Sequence, residues 1–331
     1  WVEHLFDRVA SSKLLSTKHS PRSIKLQPDR QGKLLCLVLL ISLCVMDAYA
    51  GSPQMRQFQV ITYNTALARA FGQDFVPCVL ERLEAQKQHV LRKFKIPTVF
   101  TLQEVFYTNA YDDIKYWARK NGFHVSASTP LRNGLVTVSE YPIKKEVLHV
   151  FSCNAFGQNR GVLEISIHVE GTEVRVLNSH TQDSEGELPN DCQIQQLKEV
   201  SAIAGSGLVP SALAGDFNVG PDIKIIEQKY DPIEKLWVPF LALLGSVWQR
   251  APSETKGLTW NTDKNPLARP GPQLNSTIDH VFVNQGLNIS EFELMYESPA
   301  TILNCSDYEV ELGKTFMSDH FGLKAKVAVR D

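Results

Sequence analysis

The chain has 331 residues, 43% of them hydrophobic and 21% charged, with 34 basic and 36 acidic side chains and a formal net charge of −2. That balance suits a folded globular protein and excludes a disordered or collagen-like one. No basic run interleaved with aromatics occurs, which argues against a dedicated nucleic-acid binder but leaves room for a nuclease with a local basic groove.

The first fifty residues differ from the rest. Residues 34–46 are nearly all apolar, follow Arg30 and Lys33, and are succeeded by Ala48-Tyr49-Ala50, small residues where a signal peptidase cuts. The run is shorter than the about 20 residues that span a bilayer. A secretory signal ending at Ala50, with residues 1–33 as a long n-region, is therefore expected, and residues 51–331 are expected to form one catalytic domain. No linker, repeat or low-complexity tract interrupts that stretch. Cys36 and Cys44 fall in the signal, leaving Cys78, Cys153, Cys192 and Cys305. An even number in a secreted chain predicts two disulfides, with three connectivities open. Asn275, Asn288 and Asn304 each begin a glycosylation sequon.

Taken in order, residues 58–63 read as a β-strand ending at Asn64. Pro77 opens a helix with Leu80, Leu83, Val90, Leu91 and Phe94 near one face, and Pro97 closes it. A strand over 98–102 ends at Gln103-Glu104, and a helix over 112–120 stops at Asn121-Gly122. Strands are expected over 123–127, 134–139, 147–151 and 161–169. Glu170-Gly171 then turns the chain into a strand that ends near Ser179-His180. A helix over 192–204 precedes a strand over 208–214, which delivers Gly215-Asp216-Phe217-Asn218. A helix over 231–244, a strand over 277–283 containing Asp279, and a last strand over 321–329 complete the chain. The apolar run 236–241 reads as core rather than as a membrane-facing surface. Strands and helices mix without strict alternation, which predicts an α+β protein of two packed sheets with helices outside. Five apolar strands end in Asn64, Glu104, His180, Asp216/Asn218 and Asp279, and sites are assembled at such loop ends on one rim.

These residue types suit hydrolysis of a phosphodiester. A hard divalent cation, held by carboxylate and amide oxygens, neutralises the anionic substrate. A histidine near its working pH takes a proton from water, and a carboxylate fixes its tautomer. His320, inside Thr315-Phe316-Met317-Ser318-Asp319-His320, is the candidate base and Asp279 its orienter. Asp216 and Asn218 are candidates for water and phosphate, His180 for a second donor, and Glu104 and Asn64 for the metal.

The ordered set Tyr63-Asn64, Gln103-Glu104, Asn178-Ser179-His180, Gly215-Asp216-Phe217-Asn218, Ile278-Asp279 and Ser318-Asp319-His320 resembles the endonuclease/exonuclease/phosphatase superfamily over about residues 58–329. Residues 134–143, His180-Thr181-Gln182 with Cys192 and 196–200, and Leu258-Thr259-Trp260-Asn261 are similar to its secreted neutral sphingomyelinase branch, although Asn261 stands where Asp is usual. The resemblance implies a four-layer α/β/β/α sandwich of two mixed β-sheets flanked by helices, the deoxyribonuclease-like fold. It also implies a magnesium-type cofactor (Mg2+, Mn2+ or Co2+), with Glu104 as ligand, Asn64 beside it and Asp319 near the ion or its waters. His320 and His180 would be catalytic, with Asp279, Asp216 and Asn218. The branch commonly pairs cysteines near Cys153 and Cys192, which leaves Cys78 with Cys305. The implied protein is a secreted monomer meeting phospholipid peripherally at a membrane surface, with nucleic acid the lesser substrate. One departure stands out. The branch's exposed aromatic hairpin before Ser-Asp-His has only Ile302, Leu303 and Tyr308 as apolar counterparts here.

Overall fold

Alternating apolar residues build two six-stranded sheets in the computed structural model. The structure describes residues 56–330 apart from 71–72, 128–132, 155–158, 184–190, 206–207, 224–229, 253–256, 269–274, 302–304 and 306–313. The expected signal segment, Asn304 and the apolar residues Ile302, Leu303 and Tyr308 lie outside the described residues.

Across the first sheet the order is β13 (Leu287–Met295), β16 (Gly322–Val329), β1 (Gln57–Asn64), β4 (Thr98–Gln103), β6 (Val136–Ser139) and β5 (His124–Val125). Across the second it is β11 (Trp248–Arg250), β12 (Asp279–Asn284), β10 (Ser211–Asp216), β9 (Thr172–His180), β8 (Gly161–Val169) and β7 (Lys145–Val150). Both sheets are mixed: β1 runs parallel to β4 and antiparallel to β16, and β10 parallel to β9 and antiparallel to β12. Two short hairpins stand apart, β2 (Arg69–Ala70) with β3 (Gln73–Asp74) and β14 (Ala300–Thr301) with β15 (Lys314–Thr315).

The period of two along each strand divides the core into layers. Phe58 and Val60 of β1 pack between the sheets against Ile165, Val174, Val176, Ala212 and Val281. Ile61 and Tyr63 face outward to helices α1 (Val79–His89) and α2 (Thr108–Lys120). On the other side Leu177, Leu213 and Phe282 meet α3 (Asp191–Ala204) and α4 (Val238–Leu244). The result is the α/β/β/α sandwich that the strand and helix pattern predicts. Each of the fully buried Val, Leu, Ile and Phe side chains among these contributes roughly 1.5–3 kcal/mol. Cys78–Cys305 and Cys153–Cys192 are the two disulfides. The first pins the N-cap of α1 and the second the first turn of α3.

Several boundaries differ from expectation. The strand expected over 123–127 keeps only His124–Val125, and the helix after Pro77 ends at His89 rather than near Phe94. The strand expected from Leu208 begins at Ser211; Leu208 is exposed and Pro210 has no N–H to give a ladder. Residues 231–244 form a π-helical turn (Ile233–Trp237) before α4, beside Pro239, which cannot donate to the preceding turn. Leu236, Trp237 and Phe240 are core, whereas Val238, Leu241 and Leu243 are exposed. β13 is an addition: its alternation changes phase at a bulge between Ile289 and Glu291, which hides the strand in the sequence.

Candidate active site

The pleat that fills the core also loads the rim. Along β1 the inward positions run Phe58, Val60, Thr62, Asn64; along β9, Val174, Val176, Asn178, His180; along β10, Ala212, Ala214, Asp216. Asp216 sits opposite His180 on one neighbour and Asp279 on the other. Three polar side chains from three strands therefore form one row where the apolar layer ends. Beneath it lies a buried polar layer: the Gln103 amide donates to Asn178 Oδ1 (2.7 Å), and the Asn178 amide to the carbonyls of Leu102 (3.0 Å) and Val136 (3.1 Å). A Cβ on Gly215 would meet the Ser179 carbonyl at 1.9 Å, so only glycine lets β10 bring Asp216 this close to β9.

His320 completes the row from the chain's far end. Its Nδ1 lies 2.9 Å from Asp279 Oδ2 and its Nε2 3.8 Å from Asp216 Oδ2. The Asn64 amide donates to Asp216 Oδ2 (3.0 Å) and lies 3.4 Å from His320 Nε2, while Asn64 Oδ1 accepts from the Ala66 N–H (3.0 Å). His180 Nε2 is 3.5 Å from Asp216 Oδ2 and 3.9 Å from Glu104 Oε1. Asp216 Oδ1 accepts the Asn218 N–H (2.9 Å), and the Asn218 amide donates to the Thr181 carbonyl (3.0 Å). Trp260 stands edge-on to the His320 ring at 5.0 Å. Thr259 Oγ1 accepts the N–H groups of Ile278 and Asp279, bracketing the pair from outside.

Burial opposes charging His320, but Asp279 by charge and hydrogen bond, then Asp216 and Asp319, outweigh it and raise its pKa to about 10. Asp216 is pushed up to about 7 by burial and then by Asp279, against the pull of His320 and the Asn64 amide. His180 is held well below the ordinary imidazole range by burial, with Arg160 and His320 adding to it. Glu104 is raised by burial and then by the nearby Asp319 charge.

The six strand-end candidates and His320 thus converge on one rim. Asp319 joins through Ser318 Oγ (3.1 Å) and its electrostatic effect on Glu104. Two oxygen sets could receive a cation. Ligand atoms of Asp216, Asp279 and His320 lie within 4.8 Å of one another, but there His320 Nδ1 is already engaged with Asp279 Oδ2. The Glu104 side chain is partly exposed, sits in a left-handed turn (φ 57°), and is repelled by Asp319. Carboxylate oxygens crowded in this way, with the remaining lone pair of Asn64 Oδ1, suit a hard divalent ion.

Arg160 is a neighbour that sequence reasoning passed over. It is buried, donates from Nη1 to the Thr181 carbonyl (2.8 Å), and carries its charge toward Glu104, Asp183 and Asp216. Its only trace in the sequence is a cation placed directly before the apolar strand β8.

The family model for the Endonuclease/Exonuclease/phosphatase family matches residues 61–320. The chain belongs to this family. Among curated proteins, Phospholipase C of Staphylococcus aureus is 31% identical over 114 residues, 31% of this chain. That match spans about a third (34%) of the relative's length. Sphingomyelinase C from Streptomyces griseocarneus superposes with a TM-score of 0.58 at 20% identity, covering 82% of this chain and 99% of that one. D. rerio TDP2 complexed with single strand DNA product gives 0.61 at 12% identity, covering 82% and 99%. The beta toxin 275–280 structure from S. aureus gives 0.57 at 18%, covering 81% and 99%. These structural likenesses establish the fold.

Proposed function

We propose that this chain is a secreted, divalent-metal-dependent phosphodiesterase that hydrolyses sphingomyelin to ceramide and phosphocholine. The observation that carries the reading is the buried His320–Asp279 pair set beside Asp216, Asn64 and His180, an acid–base device next to a carboxylate set for a hard cation. The local identity with a phospholipase C favours a phospholipid over a nucleic acid.

In this reading the neutral form of His320 takes a proton from the attacking water at Nε2, and Asp279 stabilises the resulting imidazolium at Nδ1. Asp216 and Asn218 orient the water and the phosphate. His180, kept neutral, donates to a phosphate oxygen and assists the leaving group. Glu104, with Asn64 and Asp319, would hold Mg2+, Mn2+ or Co2+, which supplies charge neutralisation at a non-bridging oxygen. Two disulfides and the apolar run before Ala50 support secretion. No helix among the described residues is long and apolar enough to cross a membrane.

The alternative is a secreted endonuclease or inositol-phosphate phosphatase on the same fold. Sphingomyelin vesicles, plasmid DNA and phosphoinositides, each assayed with magnesium and with chelator, separate the readings. Phosphocholine release that chelator abolishes is the expected result; nicked DNA without phosphocholine release overturns it.

A further inference from the structure

Arg82 of α1 is fully buried, and each of its five N–H groups donates to a backbone carbonyl. Nε reaches Pro77 (2.8 Å), Nη1 reaches Thr65 and Met317 (both 3.1 Å), and Nη2 reaches Ala66 (2.7 Å) and Val76 (3.1 Å). One turn further on, the Gln86 amide donates to the same two carbonyls, Thr65 (2.9 Å) and Met317 (2.5 Å). No carboxylate is among these partners.

The two doubly bonded carbonyls are placed tellingly. Thr65 follows Asn64, and Met317 precedes Ser318-Asp319-His320. Ser318 Oγ then donates to the Asn64 carbonyl (2.7 Å), closing the seam between the segments. Both segments have left their strands, so their buried carbonyls need donors from elsewhere. A guanidinium offers five in one rigid plane, which neither lysine nor an apolar side chain can copy. Burying a cation on carbonyls alone is a costly way merely to fill space. The charge that most offsets this burial is that of Asp319, with Asp74 and Glu104 adding to it. The cation thus backs the acidic side of the site.

We infer that Arg82 and Gln86 are positioning residues: acting from α1, they set the spacing between the Asn64 segment and the Ser318-Asp319-His320 segment, and with it the 3.4 Å approach of Asn64 to His320 Nε2. The inference rests on the phosphodiesterase reading for its kinetic consequence, but its geometric content can be read without turnover.

The test compares Gln86→Leu and Arg82→Lys with Asn284→Ala. Asn284 is a buried amide at the opposite end of β12, where it serves the Ser211 N–H (3.0 Å) and the Val209 carbonyl (2.6 Å). With bis(p-nitrophenyl) phosphate and magnesium, the α1 variants are expected to lose about 10²-fold in kcat, the scale of a misplacement near 1 Å. Their KM should stay within about 2-fold, and Asn284→Ala should lose comparable Tm while keeping kcat within about 2-fold. Independently, the proton resonance of His320 Nδ1 should shift or broaden in both α1 variants and not in the control. Unchanged kcat and an unchanged His320 proton in Gln86→Leu overturn the inference, and that variant decides alone should Arg82→Lys not fold. A wild-type protein without phosphodiester turnover would instead defeat the proposed function, leaving the resonance to decide the clamp.

Discussion

Replacing Asp279 with Asn keeps the side chain's size and removes the charge that faces His320 Nδ1 at 2.9 Å. In the parent chain His320 stands at about 10 against an ordinary 6.5, and Asp279 is the largest favourable contributor to that rise. The difference corresponds to on the order of 5 kcal/mol between the charged and neutral ring, at 1.36 kcal/mol for each tenfold in proton affinity. With Asn in place, burial acts on the ring with less opposition, and its pKa falls toward or below the ordinary range. Two outcomes are expected. Turnover drops about 10⁴-fold, because a neutral amide favours the wrong tautomer. The pH dependence of stability also changes. A group whose pKa is raised by folding contributes fully below its unfolded pKa, and the contribution is lost as pH rises through the folded value. The cation-free parent should therefore lose Tm between pH 6.5 and about 10, and Asp279→Asn should be less stable than the parent at pH 6 but flatter across that window. Turnover in magnesium and Tm in chelator measure both. A kcat loss under about tenfold, or an unchanged slope of Tm against pH, would refute the coupling of this pair.

Other outcomes follow from the same geometry. Glu104→Gln should leave the cation-free Tm equal or higher, since burial and Asp319 already disfavour the carboxylate, yet abolish the rise in Tm that magnesium gives the parent; thermal melts with and without the ion check this. His180→Gln should lower kcat by about 10²-fold without moving the acidic limb of the pH–rate profile, because His180 is already neutral there. Removing Cys78–Cys305 should cost more Tm than removing Cys153–Cys192, since the loops span 227 and 39 residues and loop entropy alone gives about 5 against about 4 kcal/mol. Gly215→Ala should fail to accumulate as folded protein, because its methyl carbon would lie 1.9 Å from the Ser179 carbonyl; soluble yield and circular dichroism report the result.

Much of the site could be read from the sequence because strands ending in polar residues are a local signal. Asn64, Glu104, His180 and Asp216 each close a run of apolar or β-branched residues, Asp279 opens one, and the pleat then aims alternate side chains one way. The residues missed have no such local signature. Arg82 and Gln86 look like the polar face of an ordinary helix, yet both are buried on carbonyls from two remote segments. Arg160 looks like a loop cation until Thr181 and the acids of the rim surround it. β13 was hidden because one bulge residue reverses its alternation, and an edge strand has no second neighbour to keep the pattern strict.

Local chemistry alone settled most of the strands and helices, and where polar side chains interrupt apolar runs, because dihedral preference and hydrophobic period act over a few neighbours. Which of those polar groups share a site was decided by tertiary structure. Asp216 meets His180 and Asp279 only through strand register; Asn64 and His320, neighbours at the ends of the paired strands β1 and β16, meet Asp216 and Asp279 only because the two sheets pack face to face. The pKa of His320 follows from the same cause: an imidazole acquires its charge from neighbours far away along the chain, brought to it by packing.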